Sequence, residues 1–324
     1  MTEQTMVMDV RVRARRDEAV GICSFELEAL DGQALPAFSA GAHIDVHVPA
    51  GLVRQYSLCG DPQDASHWRI GVLRDATSRG GSAGMHEGVQ VGSVLQVSRP
   101  RNLFGLAEAP HSVLVAGGIG VTPILAMARA LHRQGASFEL HYCARCPERM
   151  AFRDEIAGAG FAQQARFYFS EGSGDAPAFD AAAVAANAPA GAHLYVCGPA
   201  GFMDHVLGAA RSAGWTESRL HREHFAAAAA PDGAGEQPFV IRLARSGAQL
   251  QVPAGTTALQ VLLDHGIDVN FSCESGVCGS CITPVLDGVP EHRDSCLMDA
   301  EHAENKLFTP CCSRAKTPAL VLDL

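Results

Sequence analysis

The chain has 324 residues, 47% hydrophobic and 19% charged, which excludes a disordered polymer and exceeds what one ordinary core holds. Its net charge of −10 argues against non-specific nucleic-acid binding, because a phosphate backbone would repel it, and leaves room for a basic docking partner. The most apolar stretch, residues 113–131, contains Gly117, Gly118, Gly120, Thr122 and Pro123 with Arg129 near its end, so it reads as strand, turn and helix rather than a membrane span.

Residues 1–16 alternate polar and apolar side chains without a continuous apolar run. No secretory signal is therefore expected, and the protein is read as cytoplasmic, monomeric and without membrane attachment. Residues 7–14, 22–29, 43–48, 67–73 and 94–98 read as short strands separated by Gly, Pro and Asp, which suggests a small antiparallel barrel. From Ser112 the pattern changes. Strand-like runs at 112–116, 138–143, 166–169 and 193–196 alternate with helical stretches at 123–134, 151–158 and 201–213, the signature of βαβ units on a parallel sheet.

Residues 226–238, AAAAAPDGAGEQP, lack periodicity and mark a connection, with the linker proper set at 229–238. A hairpin (239–243 and 249–252) and a helix (257–265, stopped by Gly266) follow. The expected organisation is multidomain: residues 1–105, 106–228 and 239–324.

Six of the eleven cysteines fall in the last 52 residues. In a chain read as cytoplasmic, clustered thiols suggest a metal site before a disulfide framework. Cys273-x4-Cys278-x2-Cys281, with Cys311 after 29 further residues, has the spacing that plant-type ferredoxins use for a [2Fe–2S] cluster. Gly276, Gly279, Ser275 and Ser280 keep the loop small enough for backbone N–H groups to approach the sulfurs. A structural zinc site would bring two CxxC-like pairs or histidines, which the x4/x2 asymmetry does not match. The fourth ligand is Cys311 or Cys312, since neighbours in an extended segment point opposite ways. Cys296 is read as a buried small hydrophobe.

Two other segments carry chemistry. Arg54-Gln55-Tyr56-Ser57 follows a barrel strand and offers a flat aromatic face, a hydroxyl and a cation; a buried Tyr beside a paired Arg would look the same. Thr77-Ser-Arg79-Gly80-Gly81-Ser82 opens a helix-like stretch, where backbone N–H groups and a hydroxyl make a phosphate cradle. Residues 113–123 end in a strand, a glycine turn (Gly117, Gly118, Gly120) and a helix start with Thr122 and Pro123, where a pyrophosphate can approach the backbone.

With these residues in view, nearly the whole chain resembles the ferredoxin–NADP reductase superfamily, and more closely the phthalate dioxygenase reductase and vanillate demethylase reductase group. The resemblance implies an antiparallel β-barrel flavin domain, an α/β parallel-sheet nucleotide domain and an α+β β-grasp ferredoxin domain. It implies a flavin held by Arg54, Gln55, Tyr56, Ser57, Leu73, Arg74, Gly80, Gly81 and Ser82, with Arg79 less closely matched. FMN is expected over FAD, because that group uses FMN and no segment here would cover an adenosine. The nicotinamide cofactor falls to Gly118, Gly120, Thr122 and Pro123, with Cys197-Gly198-Pro199 beside its ring. Ser170-Glu171 stands where NADP-using relatives carry a Ser-Arg pair; a carboxylate repels a 2′-phosphate and accepts from a free ribose diol, so NADH is expected. Glu223-His-Phe225 resembles the segment whose aromatic ring covers the flavin. Ser57, Cys197 and Phe225 are the residues expected at the chemistry, and Cys311 is the expected fourth iron ligand beside Cys273, Cys278 and Cys281.

The implied activity runs from NADH as a hydride to FMN, then as single electrons through the [2Fe–2S] cluster to a terminal oxygenase component, often a Rieske enzyme of aromatic catabolism. An electron-transfer module with a vestigial nucleotide site and a stand-alone NADH oxidase or diaphorase remain as alternatives. Cys143-x2-Cys146 and His221-x2-His224 are read as incidental thiols and structural or exposed histidines.

Overall fold

The structure is a computed structural model that describes residues 7–49, 51–75, 80–171, 178–225 and 236–324. Residues 77–79 of the expected phosphate loop and the expected linker up to residue 235 lie outside these. The chain divides into two compact units, Thr5–Glu223 and His224–Leu324.

The first unit opens with β1 (Val7–Ala19), β2 (Ile22–Ala29), β3 (His43–Val48), β4 (Leu52–Ser57), β5 (Trp68–Leu73), α1 (Gly81–Gly88) and β6 (Val94–Ser98). The strands pair in the order β4-β3-β6-β1-β2-β5, every pair antiparallel. A bridge between Leu58 and Ile70, with Cys59 N–H donating to Arg69 O at 2.8 Å, joins the chain after β4 to β5. The two sheet edges therefore meet, which removes the unpaired edges an open sheet would present, and the barrel expected from the strand spacing forms. Phe25, Leu27, Ile44, Trp68 and Ile70 fill its interior, each fully buried aliphatic side chain contributing about 1.5–3 kcal/mol.

The first strand runs five residues beyond the alternating pattern. Register shifts between Val12 and Ala14 and between Asp17 and Ala19 break the period of two, and charges line the bulged part: Arg13 and, in the added length, Arg16 both pair with Glu26, at 3.4 and 3.2 Å. A bulged, charged strand gives no two-residue hydrophobic signal.

The same unit continues with β7 (Ser112–Gly117), α2 (Val121–Arg133), β8 (Phe138–Ala144), α3 (Arg153–Gly158), β9 (Ala165–Phe169), α4 (Ala181–Asn187), β10 (His193–Cys197), α5 (Ala200–Ser212) and β11 (Leu220–Glu223). These strands form a parallel sheet in the order β11-β10-β7-β8-β9. Alternate residues of β7 feed opposite faces: Leu114 and Ala116 join Ile124 and Leu125 of α2, whereas Val113 and Val115 join Met203, Val206 and Leu207 of α5. The all-apolar strand is thus covered on both sides, as parallel sheets are. Nothing in the sequence pattern signals α4, whose Ala-rich run has no amphipathic period; Asp180 starts it by accepting from Ala183 N–H at 3.0 Å. α3 starts two residues later than the expected 151, because Phe152 adopts φ 59° and lies outside the helix.

The second unit holds β12 (Phe239–Leu243), β13 (Gln249–Val252), α6 (Ala258–Asp264), β14 (Thr283–Asp287), β15 (Pro290–Glu291), α7 (Asp299–Glu304), β16 (Leu307–Phe308), β17 (Arg314–Ala315) and β18 (Ala319–Leu322). Its sheet runs β13-β12-β18-β14-β16, with the first and last strands in sequence, β12 and β18, parallel at its centre. α6 packs Leu259 and Leu262 into a core with Ile241, Phe308 and Leu320, the β-grasp arrangement. Thr257 caps α6 by accepting from Gln260 N–H at 3.1 Å, and Gly266 ends it at φ 69°. Glu236 accepts from Gly255 N–H and pairs with Arg293 and Arg314, so the chain enters this unit through an anchored residue. Among the described residues no helix is long and apolar enough to cross a membrane.

Candidate functional sites: a strand-end crevice and a four-thiol loop

Strand pairing sets the first site. β4 lies beside β3, with Val46 opposite Arg54, Asp45 opposite Gln55, Ile44 opposite Tyr56 and His43 opposite Ser57. Gln55 donates to Asp45, which also accepts from Arg101, both at 2.7 Å. Tyr56 packs against the barrel core, and burial pushes its phenol up. Ser57 Oγ donates to Glu223 at 3.0 Å, so the end of β4 touches the end of β11. Glu223 also has His43 Nδ1 at 3.9 Å and stands opposite Cys197 across the β10–β11 pair.

These three residues have strongly shifted ionisations. Burial pushes the Glu223 carboxyl up to about 8, with the Ser57 hydrogen bond opposing the shift. Burial, reinforced by the Glu223 charge, raises the Cys197 thiol well above its ordinary value. Burial, together with the Arg101 charge, lowers His43 to about 4. Hence at neutral pH the crevice holds a neutral thiol, a neutral imidazole and a carboxyl near its titration point, in a water-poor setting. Ser57 and Cys197 are legible as site residues in the sequence, whereas Glu223 stands there only within a motif, and the alternation of 43–48 marks His43 as a strand residue and nothing more.

Arg54 and α1 come together as the phosphate reading requires. A Cβ on Gly81 would stand 2.6 Å from Arg54 Nε, so the guanidinium lies against the first turn of α1, whose cap residue Gly80 has φ 103°. Ser82 Oγ accepts from Asp75 N–H at 3.1 Å. A cation set against the first turn of a helix, where only glycine fits, makes a site suited to a phosphate. Leu73, at the end of β5, is 38% exposed. Arg74 is exposed and pairs with Glu87 of α1.

The glycine turn after β7 divides its labour. A Cβ on Gly120 would stand 2.2 Å from Cys197 O, and one on Gly198 3.0 Å from Gly117 Cα, so the turns after β7 and β10 pack backbone to backbone. Gly118 has φ 55° and nothing within 4 Å of an added Cβ, so open space lies beside the turn there. Thr122 donates to Ile119 O at 3.1 Å and its methyl faces Gly71 of β5. Pro123 is buried in the first turn of α2, and Pro199 caps α5. Ser170 and Glu171 are both exposed just past β9, Glu171 N–H donating to Arg145 O at 2.7 Å. Phe225 is 44% exposed.

In the second unit, Cys281 and Cys311 Sγ lie 3.3 Å apart, and Cys273 and Cys278 are in side-chain contact. Ser275 and Val277 N–H donate to Cys273 Sγ at 3.4 and 3.5 Å, and Ser280 N–H to Cys278 Sγ at 3.4 Å. Two irons each need two terminal sulfurs, so four thiols in two pairs, with backbone donors aimed at them, fit a [2Fe–2S] cluster. Cys311 is the thiol that meets Cys281, whereas the Cys312 sulfur lies beside Cys311 and Thr309, 2.5 Å from where a Cβ on Gly276 would be. Cys296 differs from its reading as a buried hydrophobe. It is half-buried and donates to Asp294 at 3.5 Å, because that carboxylate lies beneath it.

The set-aside motifs have their own surroundings. All eleven cysteines are free thiols. Cys143 stands opposite Gly117 in the sheet, and burial pushes its thiol up to about 12. His221 bonds to His193 at 2.9 Å and stacks on Tyr195.

Comparison with known proteins gives three findings. The family model of the oxidoreductase NAD-binding domain matches residues 114–207, and that of the 2Fe-2S iron-sulfur cluster binding domain matches residues 241–316. A vanillate O-demethylase oxidoreductase of Pseudomonas putida is 53% identical over 98% of this chain and all of its own, and a phthalate 4,5-dioxygenase oxygenase reductase subunit of Pseudomonas putida is 43% identical over 97% and 96%. Among solved structures, phthalate dioxygenase reductase, described as modular for electron transfer from pyridine nucleotides to [2Fe-2S], is 39% identical, covers 98% of both chains and superposes with a TM-score of 0.72.

Proposed function

The chain belongs to the vanillate O-demethylase oxidoreductase and phthalate dioxygenase reductase family, and from that premise we propose that it is the NADH-dependent reductase component of an aromatic-ring oxygenase system. The observation that carries this reading is the convergence of Ser57, Glu223 and Cys197, from one barrel strand and two nucleotide-sheet strands, in a chain that also holds four paired thiols. Bound flavin would accept a hydride and release electrons singly, and the cluster would carry them to the oxygenase.

The chain's own residues then have separable tasks. Arg54 and the first turn of α1 hold the flavin phosphate, supporting FMN. Tyr56 would lie along the ring, with Leu73 and Arg74 flanking it, and the Ser57 hydroxyl, turned from Glu223, would donate a hydrogen bond beside the reacting edge. Gly118 admits the dinucleotide to the start of α2, Cys197-Gly198-Pro199 lines the nicotinamide side, and Phe225 shields the flavin. Glu223, buried and close to its titration point, holds or gives up a proton at its carboxyl oxygen. Glu171 accepts from the ribose diol and so selects NADH. Cys273, Cys278, Cys281 and Cys311 ligate the irons. The corresponding domains are 1–105, 106–228 and 239–324, joined by a 229–238 linker; the gap between β6 and β7 and the limits of the two family-model matches support these boundaries. Eleven cysteines without a disulfide suit a cytoplasmic location.

The deciding experiment is a stepwise anaerobic NADH titration of fully loaded protein, followed by absorbance, with acid-released flavin identified by chromatography and iron counted. Bleaching of both flavin and cluster bands, FMN as the released flavin, two irons per chain and rapid NADH-dependent cytochrome c reduction are expected. An unbleached cluster would leave an electron-transfer module with a vestigial nucleotide site, and fast oxygen consumption without an acceptor would favour a stand-alone oxidase.

A further inference from the structure

We propose that His43 is a positioning residue of the strand-end crevice: its uncharged imidazole walls one oxygen of the Glu223 carboxyl off from water and leaves the other oxygen to Ser57. The role deepens the reductase reading and rests on it only for its consequence at the flavin. His43 and Ser57 are the end pair of the β3–β4 ladder, directly opposite each other, so their side chains project on one face. The Glu223 carboxyl reaches both. Its Oε2 accepts from Ser57 Oγ at 3.0 Å, and its Oε1 stands 3.9 Å from His43 Nδ1. The second distance is too long for a hydrogen bond, so the imidazole acts through the space it fills and the charge it lacks.

The backbone fixes where the ring stands. His43 N–H donates to Arg101 O at 2.9 Å and Arg101 N–H to His43 O at 3.0 Å, so β4 lies on one edge of His43 and Arg101 on the other. The side chain is 6% exposed, and Nε2 has no hydrogen-bond partner. An imidazole buried with one nitrogen unsatisfied costs stability that an apolar residue at this position would not. Ordinary strand packing therefore does not account for it.

Among the described residues, each titratable group set against the carboxyl is uncharged at neutral pH. Burial and the Arg101 cation hold His43 down to about 4, with the Asp45 charge opposing them; Arg101 and Asp45 pair with each other at 2.7 Å. Cys197, opposite Glu223 on β10, keeps its thiol proton because burial raises it. His221, two residues back along β11 and on the same face, is lowered to about 4 by burial and by His193. With no cation to offset it, burial prevails and Glu223 is pushed up to about 8. Water at Oε1 would solvate the charged form and reverse that. The consequence falls on Ser57. A carboxylate holds a hydroxyl roughly twice as strongly as a neutral acceptor does, so a protonated Glu223 leaves the Ser57 hydroxyl free to turn toward the flavin's reacting edge.

The test follows the carboxyl itself, in full-length protein with flavin and cluster loaded, by the infrared band of a protonated carboxyl that is absent in Glu223→Gln. In the unsubstituted protein that band should fade with a midpoint near pH 8. His43→Ala admits water and should lower the midpoint by at least about one pH unit, whereas His43→Gln, which fills the space without charge, should hold it within about half a unit. The pH profile of flavin reduction by NADH should move with the band in His43→Ala, with KM for NADH little changed. Flavin content reports folding, and His43→Ser carries the same expectation should His43→Ala fail to load flavin. A midpoint unmoved in the smaller variants, or moved equally in His43→Gln, would overturn the proposal. The infrared readout needs no turnover, so a flavin that NADH fails to reduce would count against the reductase reading and leave His43 to be judged by the band.

Discussion

A methyl group at Gly120 would meet the Cys197 carbonyl at 2.2 Å, whereas one at Gly118 would meet nothing, although φ 55° would strain it. Gly120→Ala is therefore expected to cost about 3 kcal/mol of overpacking and Gly118→Ala about 1 kcal/mol, read from urea unfolding. Only the second should raise the KM for NADH out of proportion to its effect on stability. Glu223 gives a pH signature. Its folded value, about 8, lies above the ordinary carboxylate range near 4.5, so the folded protein holds the proton more tightly than the unfolded chain. Its contribution is complete below pH 4.5 and is lost as pH rises to 8, by a few kcal/mol at about 1.4 kcal/mol per unit. Glu223→Gln should flatten thermal stability across that window; an unchanged slope would exclude Glu223 as its source. Glu171 stands exposed beyond β9, and Glu171→Arg should raise kcat/KM for NADPH at least 10-fold while lowering it for NADH, since the substitution turns repulsion of a 2′-phosphate into attraction.

At the scale of elements, β5 of the barrel is tied to α2 and α3 of the nucleotide layer through one carboxylate. Arg69 on β5 makes a two-pronged contact with Glu155 of α3 at 2.8 Å on each prong, and Arg129 of α2 pairs with the same carboxylate and donates to Cys59 O. Arg69 also lies over the Phe152 ring, 4.8 Å from its centroid. Removing the carboxylate leaves the Arg69 side chain, 9% exposed, without a counter-charge. Glu155→Ala should thus cost about 3 kcal/mol, measured by urea unfolding. Because the same layers bring Ser57 to Glu223, it should also slow flavin reduction by NADH, although residue 155 is absent from the crevice.

Across the whole molecule, two units with separate cores divide the chemistry. The segment from Cys273 to the C-terminus carries eight acidic and four basic residues, so the unit that holds the thiols presents net negative charge. Reduction of a basic acceptor such as cytochrome c should fall at least 5-fold between 50 and 500 mM salt, because the Debye length shrinks from above 10 Å to a few ångströms. Internal reduction by NADH, followed by stopped flow, should change less than twofold. Equal salt sensitivity of both steps would argue against an electrostatic docking surface on this unit.

The sequence by itself determined everything carried by local rules: the switch from alternating strands to βαβ units at Ser112, the start near Thr257 and the Gly266 stop of α6, and the Cys273-x4-Cys278-x2-Cys281 loop whose small residues let N–H groups reach sulfur. Those signals survive because strand period, capping and ligand spacing are set within a few residues. It did not reveal the bulged end of β1 or the Ala-rich α4, where no hydrophobic period exists. Only the tertiary structure brought His43 and Glu223 to Ser57 and set Cys311 against Cys281. Such juxtapositions depend on which strand edges meet and on how burial shifts a carboxyl or an imidazole, and neither is written in the spacing of one chain.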